Sequence, residues 1–470
     1  MNRLTVVDEI FLRTHRGLGT PIVLQGLWRT ADRVSTALLE QVHTALRGGP
    51  LGRRVVRPRV PGARATWRAN DSAHPLRITE HPLPVPELLD WADAQGSDLD
   101  PEFGPGWRLS AARLTDGGSV VSLTCSHALA DGRGLTIAVD QALRGLATQR
   151  TAAADHMSPG ATTPRRTAAE HAIPGITTRR TASAAHALPE VASRRTAAAG
   201  HPLPGKAVRR AVAAQSDWAD ARRQWAIVLG GTARALRRGV PDAPAAPADR
   251  AIPPGSRVTC GAVLQVPAAD WDLVSAGHGG TANSLFVFVV AKMLWDSGFP
   301  GDEIGVSVPV DTRAEARVDN DMAMTEITAT RADTPATLRE KCRAAYEHRM
   351  SAPGGMPEEL LQVLPDRLAY RLSRGAGERD ILCSNIGTLP AALSHLGPHP
   401  CTGVAARAIH PGLLPTRLPR TRLSAYLSRT DRTYTLALIA LDPEHIETPE
   451  ALRNLAASAL DSVDLPSTSW

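Results

Sequence analysis

Apolar residues recur with helical spacing in some segments of the chain and with strand spacing in others. Between residues 34 and 46 they fall every three or four positions, which predicts a one-sided helix capped by Thr30 and ended by Gly48-Gly49-Pro50. Two β-rich runs, residues 107–114 and 118–126, flank Asp116-Gly117-Gly118, a sequence typical of a tight turn. The first third of the chain therefore mixes helix and strand.

The same mixture continues in the second half. SDWADARRQWAIVLGGTARALRR resembles a surface helix stopped by Gly230-Gly231. A buried helix is predicted over TANSLFVFVVAKMLW, capped near Thr281 or Asn283, and two late helices begin at Thr334-Pro335 and Thr448-Pro449. Strands are predicted at residues 304–310 and 380–387, and a hairpin at 423–441 around Thr430-Asp431-Arg432. Interleaved helices and strands predict a mixed α/β fold.

Four tandem units occupy residues 150–210 and place His156, His171, His186 and His201 fifteen residues apart. Each unit is rich in Ala, Thr, Pro and Arg and has almost no large apolar side chain, so it cannot bury enough surface to offset its ordering entropy. We interpret this stretch as a disordered linker. Two sharper interpretations are a metal-binding array of the histidines and a basic docking strip for an acidic carrier or nucleic acid.

The net charge of +6 comes from this stretch. It holds ten basic and three acidic residues, which leaves 43 basic and 44 acidic residues elsewhere. A neutral body with 4% aromatic residues and no nucleic-acid motif argues against a nucleic-acid enzyme.

The five cysteines are scattered and contain no CxxC pair, which predicts neither a disulfide framework nor a metal site and favours a reduced, cytoplasmic setting. The first residues lack the apolar run of a signal peptide, and the strongest apolar run is interrupted by Lys292, so no transmembrane segment is expected.

The segment Ser126-His127-Ala128-Leu129-Ala130-Asp131-Gly132 lies between a predicted strand and a predicted helix that carries Leu135, Val139, Leu143 and Leu146. A histidine at such a junction can accept a proton from an attacking hydroxyl or amine, since its ordinary pKa lies near neutrality. Asp131, four residues later, can fix the geometry of the loop. The alternative is a merely structural histidine.

HALADG resembles the HxxxDG motif of chloramphenicol acetyltransferase, peptide-synthetase condensation domains, polyketide-associated acyltransferases and bacterial wax ester synthases. The segments LTVVDEIFL, LGRRVVRPRVPGARATW, VPVDTR and SNIG are similar to further segments of that superfamily, so the likeness covers nearly the whole chain outside the repeats. Ser126 stands where a second histidine is frequent, and the DFGW-like segment of peptide-synthetase condensation domains is absent. The first departure is tolerable, because other branches of the family have only the second histidine, whereas the second favours a free-standing enzyme.

The resemblance implies a role for individual residues. His127 matches the catalytic base, Asp131 the aspartate that points away from substrate, and Arg313 the arginine that pairs with that aspartate from the other half. Gly132 suits a turn where a side chain would clash, whereas Gly134 has only to ease the helix start.

Three further residues are candidates for binding the acceptor or the oxyanion. Ser384 and Asn385 match the late Ser-Asn strand, and hydrogen bonding at the sheet end explains them equally well. Asn283 matches an asparagine of the wax ester synthases, and a helix cap explains it equally well.

The resemblance also implies two chloramphenicol acetyltransferase-like subdomains in a V-shaped pseudo-dimer, with the active-site channel between them. We expect the first subdomain over residues 1–149 and the second over 211–470. The implied enzyme is a monomer that needs no metal and no bound cofactor. It moves an acyl group from a coenzyme A or carrier-protein thioester to a hydroxyl or amine, in lipid or natural-product biosynthesis.

Two other classes of function compete with this one. A protein of this fold could bind an acyl carrier protein or an acyl ligand without turnover, since fold does not fix function. The basic repeats could instead serve nucleic-acid or membrane binding. The intact set His127, Asp131 and Arg313 favours the enzyme.

Overall fold

The structure is a computed structural model that describes residues 2–18, 22–157, 206–238, 257–347, 359–365 and 378–470. Its helices are Val6–Leu18 (α1), Thr36–Gly48 (α2), Leu88–Asp93 (α3), Gly132–Met157 (α4), Lys206–Arg238 (α5), Ala268–Gly277 (α6), Ala282–Asp296 (α7), Pro335–Glu347 (α8), Leu360–Val363 (α9) and Pro449–Asp461 (α10). Short 3-10 helices lie at Val85–Glu87, Ala391–Ser394 and Pro415–Arg417.

The strands of the first half are Val23–Thr30 (β1), Arg53–Val56 (β2), Thr66–Ala69 (β3), Arg77–Ile78 (β4), Trp107–Arg113 (β5) and Ser119–Ser126 (β6). Those of the second half are Cys260–Pro267 (β7), Glu303–Asp311 (β8), Met322–Thr330 (β9), Ile381–Thr388 (β10), His395–Leu396 (β11), His399–Ile409 (β12), Leu423–Arg429 (β13), Thr433–Ala440 (β14) and Thr468–Ser469 (β15).

The first large sheet has the strand order β11-β12-β1-β6-β5-β4. Strands β11 and β12 come from the second half of the sequence, and β12 pairs with β1 along the whole length of β1. Val23 at the start of β1 lies opposite Ser126 on one side and Ile409 on the other. The residues that follow β6 and β12 therefore emerge on either side of the start of β1.

The second large sheet has the order β15-β7-β14-β13-β10-β8-β9, and β2 and β3 form a separate pair. In this sheet β10 runs parallel to β8 and β13, while β13, β14 and β7 form antiparallel pairs. Helix α7 packs against its face, with Phe286 and Val290 completely buried. Each large sheet thus has its own apolar core.

Most of the predicted elements are present, among them the β5–β6 and β13–β14 hairpins and the helices after Thr334 and Thr448. Thr281 caps α7 by a reciprocal bond with Ser284, so Asn283 is not the cap. The predicted cap of α2 was wrong: Ser35 bonds Leu38 N, and Thr30 ends β1. Side-chain spacing located this helix, but a polar residue five positions upstream was mistaken for its start.

Gly230 and Gly231 do not stop a helix, because α5 continues through them to Arg238. Both edges of the predicted disordered linker are helical, since α4 runs to Met157 and α5 begins at Lys206. The rest of the linker, including three of its four repeated histidines, lies outside the described residues.

Helix α5 is attached to the N-terminal part of the chain. Asp217 accepts hydrogen bonds from the Arg3 guanidinium (2.8 Å) and the Arg59 backbone N–H (3.0 Å), and Asp220 pairs with Arg64 at 2.8 Å. These bonds attach the part of α5 that precedes the two glycines. Gly230 and Gly231 lie further along the helix, where their low helix propensity costs about 1 kcal/mol each.

Within the described ranges, we find no single helix long and apolar enough to cross a membrane. Helices α6 and α7 satisfy the length and composition requirement only together, as a pair bent by 87°.

Candidate functional site

The HALADG segment forms the loop between β6 and α4. The His127 backbone N–H donates to the carbonyl oxygen of Ile22 at 2.9 Å, which ties the loop to the residue before β1. The Ala128, Leu129 and Ala130 side chains are buried in the first core. The small and apolar residues between His127 and Asp131 therefore anchor the loop that carries these two side chains.

The predicted ion pair between Asp131 and Arg313 is present. Arg313 Nη2 lies 2.6 Å from both carboxylate oxygens of Asp131, and each side chain is only 5% exposed. Asp131 also accepts from the backbone N–H groups of Gly134 (2.7 Å) and Asp321 (3.1 Å). The carboxylate thus joins the motif of the first half to the β8–β9 loop of the second half.

Gly134 is under a tighter steric constraint than Gly132, contrary to the prediction that it only eases the helix start. A Cβ at Gly134 would lie 2.3 Å from the carbonyl oxygen of Val318 in the β8–β9 loop, whereas one at Gly132 would meet only the end of the Ile386 side chain, at 2.7 Å. Backbone cannot move aside as a side chain can, so α4 and the loop approach as closely as a glycine allows.

Replacing Gly134 by alanine is expected to lower the free energy of unfolding by about 1–3 kcal/mol, because the added methyl group displaces the Val318 backbone. Gly145 in the same helix has open space around its Cβ position. Gly145→Ala should therefore raise stability by about 0.5–1 kcal/mol through helix propensity. Chemical denaturation of both variants checks this, and equal effects of the two would contradict the close approach.

His127 is held by contacts on its ring face and at Nδ1. The Phe11 ring of α1 stacks on the imidazole with centroids 3.6 Å apart and an interplanar angle of 15°. His127 Nδ1 lies 3.1 Å from the Oδ1 atom of Asn320. These contacts fix the ring and leave Nε2 as the nitrogen that can accept a proton.

Burial lowers the pKa of His127, while its bond with Asn320 and the charge of Asp131 oppose the shift. The imidazole is therefore uncharged at neutral pH, which is the form that a general base requires.

Asp8 and Asn320 are site residues that the sequence did not reveal. Both are buried, and Asp8 Oδ1 accepts from Asn320 Nδ2 at 2.8 Å. Asp8 lies in LTVVDEIFL, a segment whose only signal is its family likeness, and Asn320 lies in VDND, a sequence typical of an ordinary loop. No local signal distinguished them, because Asn320 bonds His127 and Asp8, and both lie more than 190 residues away from it in the chain.

A cavity of about 380 Å³ lies between the two halves and reaches His127. Its walls are mostly apolar and come from α1, β1 and α4 of the first half and from β9, β10 and β12 of the second half of the sequence. Representative lining residues are Ile10, Trp28, Val139, Met324, Leu382 and Val404.

His410, at the end of β12, is a second histidine in this cavity and was also missed from the sequence. It lines both the large cavity and a smaller one of about 140 Å³, whose wall includes Asp93, Arg257 and Thr259. Burial, followed by the influence of His127, lowers the pKa of His410 to about 4, so its ring is neutral at physiological pH. His410 is therefore a residue that the two cavities share.

The three candidate acceptor or oxyanion residues do not lie at one site. Ser384 lines the large cavity. Asn385 is exposed and donates to Asn283 Oδ1 at 3.2 Å, and Asn283 donates to the Tyr346 hydroxyl at 3.0 Å. Neither asparagine is among the residues that line the cavity, since strand alternation turns Asn385 away from the face that carries Ser384.

One group of three possible metal ligands occurs in the described part of the chain: Asp442, Glu444 and His445. Arg422 already donates to Asp442 at 2.5 Å, so a guanidinium neutralises the carboxylate that a cation would need. None of the three lines the cavity of His127.

No protein-family model and no curated protein sequence matches the chain. Solved structures do. The first condensation domain of the CDA synthetase is 14% identical with a TM-score of 0.55 and 99% of each chain covered. Polyketide synthase associated protein 5 from Mycobacterium tuberculosis is 14% identical with a TM-score of 0.51 and 97% of each chain covered. The wax ester synthase/diacylglycerol acyltransferase from Marinobacter aquaeolei VT8 is 16% identical with a TM-score of 0.51, and the match covers 98% of this chain and 100% of that one.

The chain thus has the fold of the condensation domains and of this acyltransferase, which confirms the predicted mixed α/β class with two pseudo-dimeric subdomains. It spans 42% of the length of a matching nonribosomal peptide synthetase, FmoA3, at 16% identity and a TM-score of 0.50.

Proposed function

We propose that this protein is an acyltransferase that moves an acyl group from a thioester to a hydroxyl or amine, with His127 as the general base. The observation that carries the proposal is a neutral imidazole, held at Nδ1 and on its ring face, in a cavity between two subdomains of the acyltransferase-like fold. Asp131, paired with Arg313, maintains the loop that positions it.

The reaction needs no covalent enzyme intermediate, because the thioester is already activated. His127 Nε2 takes the proton of the acceptor hydroxyl or amine as its oxygen or nitrogen bonds to the thioester carbonyl carbon. The tetrahedral intermediate then collapses with cleavage of the C–S bond, and the imidazolium returns the proton to the leaving thiolate. The products are an ester or amide and a free thiol.

The oxyanion of the intermediate needs a hydrogen-bond donor. Ser384 fits this role best of the three candidates, since it alone lines the cavity with His127. Asn283 and Asn385 instead fit a structural role, because they bond each other and Tyr346. Of the residues whose roles the resemblance implied, we keep His127, Asp131, Gly132, Arg313 and Ser384 in the proposed site.

The two cavities suggest how the substrates divide the site. An acyl chain fits the large cavity, because its walls are mostly apolar and its burial there would be favourable. The smaller cavity, with Asp93, Arg257 and Thr259 in its wall, fits the polar reactant. His410 lines both cavities, so in this arrangement the thioester and the acceptor would come together beside the two histidines.

The donor is a thioester of coenzyme A or of a phosphopantetheinyl carrier protein, and the likeness to domains of peptide synthetases supports the carrier as a partner. No bound cofactor and no metal is required by this mechanism. A monomeric, cytoplasmic enzyme without a nucleic-acid partner remains our prediction.

Release of free thiol from a panel of acyl-coenzyme A and acyl-carrier donors, measured with and without alcohol and amine acceptors, tests the proposal. We expect release that depends on the acceptor, accompanied by an ester or amide detected by mass spectrometry. Release without an acceptor would indicate a hydrolase. Tight binding of an acyl carrier without any release would favour the non-catalytic alternative.

A further inference from the structure

The position of the proton on His127 follows from the hydrogen bonds of Asn320. Its Nδ2 lies 2.8 Å from Asp8 Oδ1 and 2.8 Å from the carbonyl oxygen of His127. A carbonyl can only accept a hydrogen bond, and so can an ionised carboxylate, so the amide NH₂ group belongs on that side. The amide oxygen therefore faces His127 Nδ1, which must carry the hydrogen.

Asp8 holds the Asn320 amide in this orientation. One carboxylate oxygen, Oδ1, accepts both the side-chain and the backbone N–H of Asn320, at 2.8 and 3.0 Å. The other, Oδ2, accepts the backbone N–H of Thr5 at 2.8 Å, while Thr5 Oγ1 bonds the Asp8 N–H in return. This capping box fixes Asp8 at the start of α1, the helix that also supplies Phe11 to the His127 ring.

Burying this carboxylate has a cost that helix capping alone does not require. Asp8 is fully buried, and desolvation raises its pKa to about 6 in spite of the bonds from Asn320 and Thr5. A cap at an exposed helix start would satisfy the same backbone N–H group without desolvation. The buried position is explained if the carboxylate is needed next to Asn320.

We propose that Asp8 and Asn320 are positioning residues that hold His127 in its Nδ1–H tautomer, so that Nε2 faces the reactants as the base. This inference rests on the proposed acyl transfer for its catalytic meaning, but the tautomer itself is a property of the protein alone. The carbonyl oxygen of His127 also contacts the ring and is the competing explanation for the same tautomer.

Nitrogen-15 NMR of histidine-labelled protein, with His127 assigned by its loss in His127→Gln, reports the tautomer directly. We expect the Nδ1–H form in the wild type. We expect a mixture of the two tautomers in Asn320→Ala and in Asp8→Asn. In Asp8→Asn, the new amide NH₂ would face either the Asn320 NH₂ or the Thr5 N–H, and two donors cannot bond each other. The turnover number should fall in proportion to the Nδ1–H fraction that NMR reports, roughly 2- to 10-fold for a mixture that keeps about one half to one tenth of it, with little change in the thioester KM, because the Nε2–H tautomer cannot take the proton.

Thr5→Ala is the matched control. It removes the Thr5 hydroxyl, which accepts from the Asp8 N–H and donates to the Asn320 backbone carbonyl at 3.0 Å, but it keeps the bond between Asp8 Oδ1 and the Asn320 side chain. Stability should therefore fall while the tautomer is kept. An Nε2–H form in the wild type, or an unchanged tautomer in Asn320→Ala, would overturn the inference. An unchanged tautomer in Asn320→Ala would mean that the carbonyl oxygen of His127 is sufficient to fix the tautomer.

The two proposals fail in different ways. A wild type in the Nδ1–H form without turnover on any donor would contradict acyl transfer and keep the positioning role. Turnover that persists in Asn320→Ala with an unchanged tautomer would contradict the positioning role and keep acyl transfer.

Discussion

Replacement of His127 by alanine is expected to lower the rate of acyl transfer by about 10²–10⁴-fold, the usual contribution of a positioned general base. The loss should appear in the turnover number more than in the thioester KM, because the imidazole acts on the proton and not on the acyl chain. Steady-state thiol release over a series of donor concentrations separates the two constants.

The pH dependence of turnover follows from the same residue. Burial lowers the pKa of His127, so the neutral base persists below its ordinary pKa of 6.5. The wild-type rate should therefore decrease only below pH 6.5, where Asp8, whose burial raises its pKa to about 6, also begins to take up a proton. His127→Ala should lose this acid limb, because neither titration can then act through the imidazole. His278→Ala, at an exposed histidine, is the control and should resemble the wild type. An equal rate for His127→Ala and His278→Ala would refute the role of the base.

Arg313→Met is expected to reduce the free energy of unfolding by about 3–5 kcal/mol, because it leaves the buried Asp131 carboxylate without its counter-charge. The matched control is Arg343→Met. Arg343 pairs with Glu340 at 2.9 Å, but both side chains are largely exposed, so about 0–1 kcal/mol is expected there. Chemical denaturation measures both differences.

The double variant Asp131→Asn/Arg313→Met separates an unpaired charge from lost packing. If the uncompensated carboxylate is the main cause, the double variant should recover part of the stability lost in Arg313→Met. Turnover should stay low in both, since the ion pair also holds the motif loop against the β8–β9 loop. Equal destabilisation by Arg313→Met and Arg343→Met would mean that this ion pair does not join the halves.

The sequence alone determined the elements whose signals are local. The β5–β6 hairpin needs a turn that tolerates positive φ, and Gly117 has φ +92° there. Helix α10 begins where Thr448 bonds Ala451 N, a contact between near neighbours. The strand-to-helix junction at His127 was predicted for the same reason, since alternation ends at Ser126 and helical spacing begins after Asp131.

The partner of Asp131 came from resemblance instead, because no spacing rule connects it with Arg313, 182 residues away. Tertiary structure decided what depends on such distant contacts. The placement of α5 is one example, since its acidic side chains Asp217 and Asp220 pair with Arg3 and Arg64.

Strand β12 leaves its own half to pair with β1, and this crossing brings His410 to the cavity of His127. Asn320 lies 193 residues from His127 and 312 from Asp8, yet it hydrogen-bonds both. Local patterns carry the information for turns, caps and amphipathic faces, since these involve residues close in sequence. The orientation of a histidine ring depends on groups that only folding brings together. The sequence therefore indicated His127 as the candidate base, and the tertiary structure showed which groups contact its ring.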